Sequence, residues 1–171
     1  MKKIIETERL YFREFTLEDA QLLIDLNSDP EVTRYTGDGP VKNLEEAKRI
    51  LNDVIFPQYK NRMGRWAVYL KSTDKFIGWC GLKHITELDE IDLGYRFFQK
   101  YWGLGYATES AKAIMDYGKK ILKLNKILGR AAIGNLNSIK VLEKAGLTYK
   151  EYGVEHGDEI VKYVWEKELG Y

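Results

Sequence analysis

The sequence predicts a mixed α/β domain built around a largely antiparallel sheet. Three strand-like runs, Arg65–Lys71, Phe76–His84 and Ile91–Phe98, follow one another with only short turns between them. On both sides of these runs, segments with apolar residues at helical spacing alternate with further short strands, the pattern of helices packed on a sheet.

The elements follow in order. Leu10, Phe12 and Phe15 mark a first strand, and Thr16 followed by Asp19 resembles a helix start with an acid in the first turn. That helix carries Ala20, Leu23, Ile24 and Asn27 on one face, and Asp29-Pro30 breaks it. Gly37-Asp38-Gly39-Pro40 reads as a loop. Leu44 to Tyr59 reads as a second helix that Pro57 ends or distorts. Ser72–Lys75 is a polar turn, so the first two central strands form an antiparallel hairpin. Thereafter come a helix over Gly105–Leu122, a strand over Lys126–Ile133, and a helix over Ser138–Ala145 stopped by Gly146. Two strands, Tyr149–Val154 and Ile160–Glu166, flank a His-Gly-Asp turn.

Composition narrows the function classes. The 171 residues, with no linker, repeat or low-complexity stretch, are expected to form one domain over 1–171. A net charge of +1 gives no reason to expect nucleic acid or a membrane surface as partner. The single cysteine, Cys80, excludes an intrachain disulfide, and with only His84 and His156 beside it a Cys/His zinc site is not expected. The start MKKIIETERL is basic but lacks the apolar stretch of a signal peptide. The expected compartment is therefore a reducing cytoplasm.

The strongest local signal is Gly103-Leu104-Gly105 between a strand and a helix. Glycines let the backbone turn sharply and come close to a ligand, and the free amides of the next helix start then face an anion such as a pyrophosphate. The loop lacks the Gly-Lys-Ser/Thr of a nucleotide-hydrolysing P-loop, and Thr108 breaks the G-x-G-x-x-G spacing of a dinucleotide fold. Taken alone it is compatible with a tight turn that binds nothing.

Three blocks in order carry more. Thr7-Glu8-Arg9-Leu10 with Arg13 and Asp19 opens the chain. Leu93-Gly94-Tyr95 leads into Trp102-Gly103-Leu104-Gly105-Tyr106-Ala107-Thr108-Glu109. Asn135-Leu136-Asn137-Ser138 precedes Glu143-Lys144-Ala145-Gly146-Leu147. Over nearly its whole length the chain resembles the GNAT acetyltransferases, in particular the branch of ribosomal-protein N-terminal acetyltransferases. It departs from the pattern at Lys100, where the wider family often has Arg or Gln, and at Leu147, where Phe is usual.

The resemblance implies a single GNAT-like domain whose central strands, Ile91–Phe98 and Lys126–Ile133, splay apart around the pantetheine of acetyl-CoA. Backbone groups of Phe97, Phe98 and Gln99 would pair with the pantetheine amides, and one of them would polarise the thioester oxygen. Gly103, Leu104, Gly105, Tyr106, Ala107 and Thr108 would hold the pyrophosphate, and Asn135 the pantetheine arm. Many relatives place a tyrosine acid four residues before Gly146, but Leu142 stands there, so Ser138 becomes the candidate acid. The alternative for Ser138 is a helix cap. Asp92 is the candidate base, ahead of Glu90, against the alternative of a solvated strand-edge carboxylate. His156 reads as exposed and Cys80 as a buried small hydrophobe; His84 is open between a base and a polar residue at the sheet end, and Trp102 between leaning over the cofactor loop and packing the core. Arg34, Tyr35 and the 37–40 loop fall where relatives build the acceptor site.

The function implied is transfer of an acetyl group from acetyl-CoA to a primary amine by direct attack, with a protein N-terminus as the favoured acceptor and no metal. A small-molecule amine such as a polyamine or aminoglycoside is one alternative. A non-catalytic acyl-CoA-binding module on the same fold is another. The resemblance also allows a homodimer.

Overall fold

The computed structural model describes residues 2–170; Met1 and Tyr171 lie outside the described residues. Eight strands form one sheet: β1 (Ile5–Glu6), β2 (Leu10–Arg13), β3 (Gly64–Leu70), β4 (Phe76–Ile85), β5 (Glu90–Phe97), β6 (Lys126–Ala132), β7 (Thr148–Glu155) and β8 (Asp158–Glu166). Their spatial order is β1-β2-β3-β4-β5-β6-β8-β7. Every neighbouring pair is antiparallel except β5 and β6, which run parallel. The expected hairpin of β3 and β4 is present, and β7 and β8 turn through His156 and Gly157, whose φ angles of 52° and 84° suit a tight two-residue hairpin.

Six helices cover the sheet: α1 (Ala20–Asn27), α2 (Pro30–Thr33), α3 (Leu44–Ile50), α4 (Phe56–Tyr59), α5 (Tyr106–Lys120) and α6 (Leu136–Lys144). Alternation along the strands divides the apolar residues between two cores. On one face Phe12, Trp66, Val68, Cys80, Leu82 and Leu93 pack against Ala111, Ile114 and Met115 of α5 and Leu142 of α6. On the other face Tyr11, Ala67, Tyr69 and Trp79 pack against Leu23 and Leu26 of α1, Val32, Ala47, Leu51 and Ile55. Phe12, Leu26, Leu51 and Ile114 are fully buried, each worth about 1.5–3 kcal/mol relative to exposure.

The structure departs from the sequence reading in four places. The two-residue strand β1 was too short to show any periodicity. Asp29-Pro30 starts a helix as well as ending one: Asp29 Oδ1 accepts from Glu31 N–H at 2.9 Å, and Pro30 occupies the first turn of α2, where its missing N–H costs nothing. The stretch expected as one helix over Leu44–Tyr59 passes through a π-helical turn at Leu51–Ile55, where Phe56 N–H donates to the Leu51 carbonyl just before Pro57. Finally, α6 begins at Leu136, with Asn135 rather than Ser138 as its cap.

Candidate active site

The parallel ladder between β5 and β6 is short. Only Asp92 with Leu128 and Leu93 with Gly129 pair, and beyond them Gly94–Phe97 and Arg130–Ala132 have no partner in each other. A cleft of about 670 Å³ lies at this opening, lined by Tyr95, Arg96 and Phe97 at the end of β5, by Tyr101–Gly103 and Gly105–Thr108, and by Gly134–Ser138 with Lys140, Val141 and Lys144. Glu31, Val32, Arg34, Tyr35 and Thr36 close its far side. A shallower groove of about 400 Å³ shares Gly105, Thr108 and Lys144 with it and runs on to Lys112.

The loop entering α5 is shaped for an anion. Gly103 and Gly105 have φ angles of 75° and 84°, in the region that favours glycine. Gly105 is the cap residue of the 15-residue α5 and no side chain caps that end, so the first-turn amides at Tyr106, Ala107 and Thr108 lack intrahelical partners. The one first-turn acid, Glu109, would oppose an anion, but it is drawn away. Its Oε1 accepts from Thr7 Oγ1 at 2.8 Å and from Arg9 N–H at 3.0 Å, and its Oε2 accepts from Arg9 Nε at 2.7 Å. Arg9 Nη1 also donates to the Leu104 carbonyl at 3.0 Å, so the first strand braces the outside of the loop. Lys140 and Lys144 add positive charge to the cleft wall, while Arg34 there pairs with Glu31 at 3.6 Å. Free amides plus the two lysines suit a polyanionic ligand.

Across the cleft, Tyr95 Oη lies 2.8 Å from both the carbonyl oxygen and Oγ of Ser138. Asn135 Oδ1 accepts from Ser138 N–H at 3.2 Å, which fixes the first turn of α6. Burial pushes the Tyr95 phenol well above its ordinary value, and its hydrogen bond to Ser138 offsets only part of that. Two protonated hydroxyls are thus chained at the mouth of the splay.

Asp92 and Tyr95 are three residues apart on β5 and so face opposite sides of the sheet. On the Asp92 side Arg130 of β6 gathers three carboxylates: Asp92 Oδ1 at 2.7 Å, Glu155 Oε1 at 3.0 Å, and Glu90. Lys162 reaches Glu155 at 3.3 Å. Burial raises the Asp92 carboxyl from 3.8 to about 6; Glu155 and Glu90 push the same way, and Arg130 opposes them.

The model of the acetyltransferase (GNAT) domain matches residues 9–148. The chain belongs to the GNAT acetyltransferase family. It is 34% identical over 149 residues to the uncharacterized N-acetyltransferase p20 of Bacillus licheniformis, covering 86% of this chain and 83% of that one. Its structure superposes on a GNAT-family acetyltransferase of Bacillus anthracis with a TM-score of 0.81 at 26% identity, over 95% of this chain and 97% of the other. RimL, a ribosomal L7/L12 α-N-protein acetyltransferase solved with coenzyme A, shares the fold with a TM-score of 0.82 over 97% and 98% of the two chains, at 15% identity. Membership makes this protein an acyltransferase.

Within this GNAT chain the structure brings Phe97, Gly103, Gly105, Tyr106, Ala107, Thr108, Asn135 and Ser138 to one cleft. Phe98, Gln99, Leu104 and Asp92 are not among the cleft-lining residues. The reason is local bonding. Phe98 N–H donates to the Ile77 carbonyl at 3.1 Å, the Gln99 carbonyl accepts from Trp102 N–H at 3.0 Å, and the Leu104 carbonyl is held by Arg9. The Phe97 carbonyl accepts from the Trp102 indole at 2.9 Å, giving that tryptophan a bracing task in the loop. Leu142 is buried with its Cδ2 against Gly129, so the position where relatives carry a tyrosine belongs to the core here. His84 pairs with Asp89 at 2.9 Å at the far end of β4, His156 sits in the exposed hairpin turn, and Cys80 is buried with its thiol pushed up by that burial. Among the described residues no group of three or more His, Cys, Asp or Glu is placed to hold a metal ion, and no helix is long and apolar enough to cross a membrane. Sequence reasoning missed Tyr95, Arg130 and Arg9 as working residues. Only Tyr95 and Arg9 had a signal, as members of quoted motifs.

Proposed function

We propose that residues 1–171 are one N-acetyltransferase domain that moves the acetyl group of acetyl-CoA to a primary amine, with a polypeptide N-terminus as the favoured acceptor class and a reducing cytoplasm as its compartment. The observation that carries this reading is that the amide nest at Tyr106–Thr108 and the Tyr95–Ser138 hydroxyl pair open on one cleft, at the point where β5 and β6 part. The preference for a polypeptide rests on resemblance to the ribosomal-protein branch.

Bound acetyl-CoA supplies an acyl group activated as a thioester. The first-turn amides of α5 would hold its pyrophosphate, with Lys140 and Lys144 adding charge, and Asn135 and the end of β5 would line its pantetheine arm. On the other face of β5 the Asp92 carboxylate, held through Oδ1 by Arg130, would take the proton of the incoming ammonium directly or through water. Ser138 Oγ holds a proton it can release into the cleft, and Tyr95 Oη, 2.8 Å away, resupplies it.

The test mixes purified protein, acetyl-CoA and a panel of amines, and follows free thiol together with the mass of the acceptor. CoA should raise the melting temperature by mass action and one amine class should gain 42 Da, the mass of an acetyl group replacing hydrogen. Absence of CoA binding at millimolar concentration would overturn the reading.

A further inference from the structure

Tyr95 and Arg96 are consecutive on β5 and so face opposite sides of the sheet. Each takes hold of a different side of the cleft. Tyr95 Oη bonds Ser138 at the start of α6, beside the amide nest of α5. Arg96 reaches the other way. Its Nη1 donates to Asn27 Oδ1 at the end of α1, and its Nη2 donates to Asp38 Oδ2 at 3.1 Å. The guanidinium carbon lies 5.6 Å from the centre of the Trp79 ring, which is buried and stands opposite Arg96 on β4. With 10% of its side chain exposed, Arg96 is fixed in place between these partners.

The two anchors bracket the segment that forms the far wall of the cleft, Glu31–Thr36. Asn27 is a buried amide whose Nδ2 donates to the Leu23 carbonyl at 2.7 Å, which leaves its Oδ1 to accept from Arg96. Between the anchors Val32 and Thr33 alone are buried, and α2 is a single four-residue turn, too short to hold its place by itself. From Arg34 to Asp38 the chain is exposed. Arg34 pairs with Glu31, and Thr36 Oγ1 donates to Thr33 and Asp38, all within the segment. Tyr35 Oη reaches across to the Gly134 carbonyl, but at 3.4 Å. The firm tie is therefore Asp38 on Arg96; Arg65 feels the same carboxylate from farther off. Gly37 and Gly39, with φ angles of 72° and 65°, let the backbone turn on either side of that ion pair.

Resting on the acetyltransferase reading, we propose that Arg96 is a positioning residue for the acceptor amine. Its forked guanidinium pins both ends of the segment that carries Glu31–Thr36, and so sets the wall against which the second substrate binds. The acetyl-CoA side does not depend on this fork. Arg9 and Thr7 hold the start of α5, and Asn135 caps α6. Lysine replaces the fork only in part, because one ammonium is a point charge while the planar guanidinium meets two partners on two segments.

The experiment takes the amine that wild type acetylates best and measures KM for both substrates, with amide hydrogen exchange alongside. Arg96→Gln should raise the acceptor KM about tenfold, while the KM of acetyl-CoA and the CoA-induced thermal shift stay within about twofold. Exchange at Val32, Thr33 and Thr36, whose amides are bonded within the segment, should quicken by about tenfold, and exchange in α5 and α6 should not change. Asp38→Asn, at a half-exposed site, should give the same split at a smaller size, and Arg96→Lys should recover part of the loss. The double variant should be no worse than Arg96→Gln, since Asp38 then has no fork to lose. If Arg96→Gln does not fold, Asp38→Asn carries the test. Equal rises in both KM values, unchanged exchange at the wall, or an acceptor KM that answers to Arg96→Gln but not to Asp38→Asn would each overturn the assignment. If wild type acetylates no amine, the acetyltransferase reading fails, and the exchange comparison alone decides whether Arg96 holds the wall.

Discussion

Arg9 and Glu109 meet across 100 residues of chain, Nε to Oε2 at 2.7 Å, and their contact decides which way the start of α5 faces. Glu109 sits in the first turn, where an acid would compete with a bound anion for the same amides. Three donors from Thr7 and Arg9 hold it back, and the second arm of Arg9 fixes the Leu104 carbonyl. Arg9→Ala should therefore weaken CoA binding by about tenfold, the loss of one or two charge-assisted hydrogen bonds, read by calorimetry. Because the pair is partly exposed, the accompanying loss of stability should stay near 1 kcal/mol.

The Tyr95–Ser138 pair predicts a split between binding and turnover. Ser138→Ala should lower kcat by about a hundredfold, as general-acid loss does, while leaving CoA affinity within a few fold. Tyr95→Phe removes the resupply and the bond to the Ser138 carbonyl but leaves the Ser138 hydroxyl, so its effect should be smaller, about tenfold. Equal kcat in Ser138→Ala and wild type would show that the hydroxyl serves only α6.

Asp92 predicts a pH profile. Its carboxyl is raised from 3.8 to about 6 by burial against the pull of Arg130, and the ionised form is the one that accepts a proton. Activity should thus fall as pH drops through about 6, and Asp92→Asn should lose that limb along with most of the rate. For stability the sign is opposite. A raised carboxyl contributes fully below 3.8 and its contribution is lost as pH climbs through about 6. Chemical denaturation of wild type and Asp92→Asn over this range separates the two effects.

The sequence made the order of the main elements legible because each long run carries its own period, and it made the glycine loop legible because strand, turn and helix adjoin in the chain. Other features were invisible for a physical reason. Asn27, Asp38 and Arg96 come from a helix, a loop and a strand, and only the packing of α1 on the sheet brings them together. The same holds for Arg130, whose three carboxylates lie 25 to 40 residues away in either direction. The π-turn before Pro57 follows from how a chain absorbs a missing donor within a continuous helix, a choice that packing makes and a period does not record.

Gly129 and Leu142 together decide where the sheet can part. A Cβ on Gly129 would fall 2.5 Å from Cδ2 of Leu142, which is itself buried in the α5 and α6 core. Gly129 is also half of the last pair before the splay, opposite Leu93. Gly129→Ala should accordingly cost about 1–3 kcal/mol by overpacking, and Leu142→Ala about 2–5 kcal/mol by leaving a cavity. The double variant restores part of the lost volume, so its cost should be less than the sum of the two by about 1 kcal/mol or more. Denaturant melts of the four proteins measure this coupling. Additive costs would mean that β6 shifts to admit the methyl group, and the splay would then not depend on α6 seating Leu142 against a bare backbone.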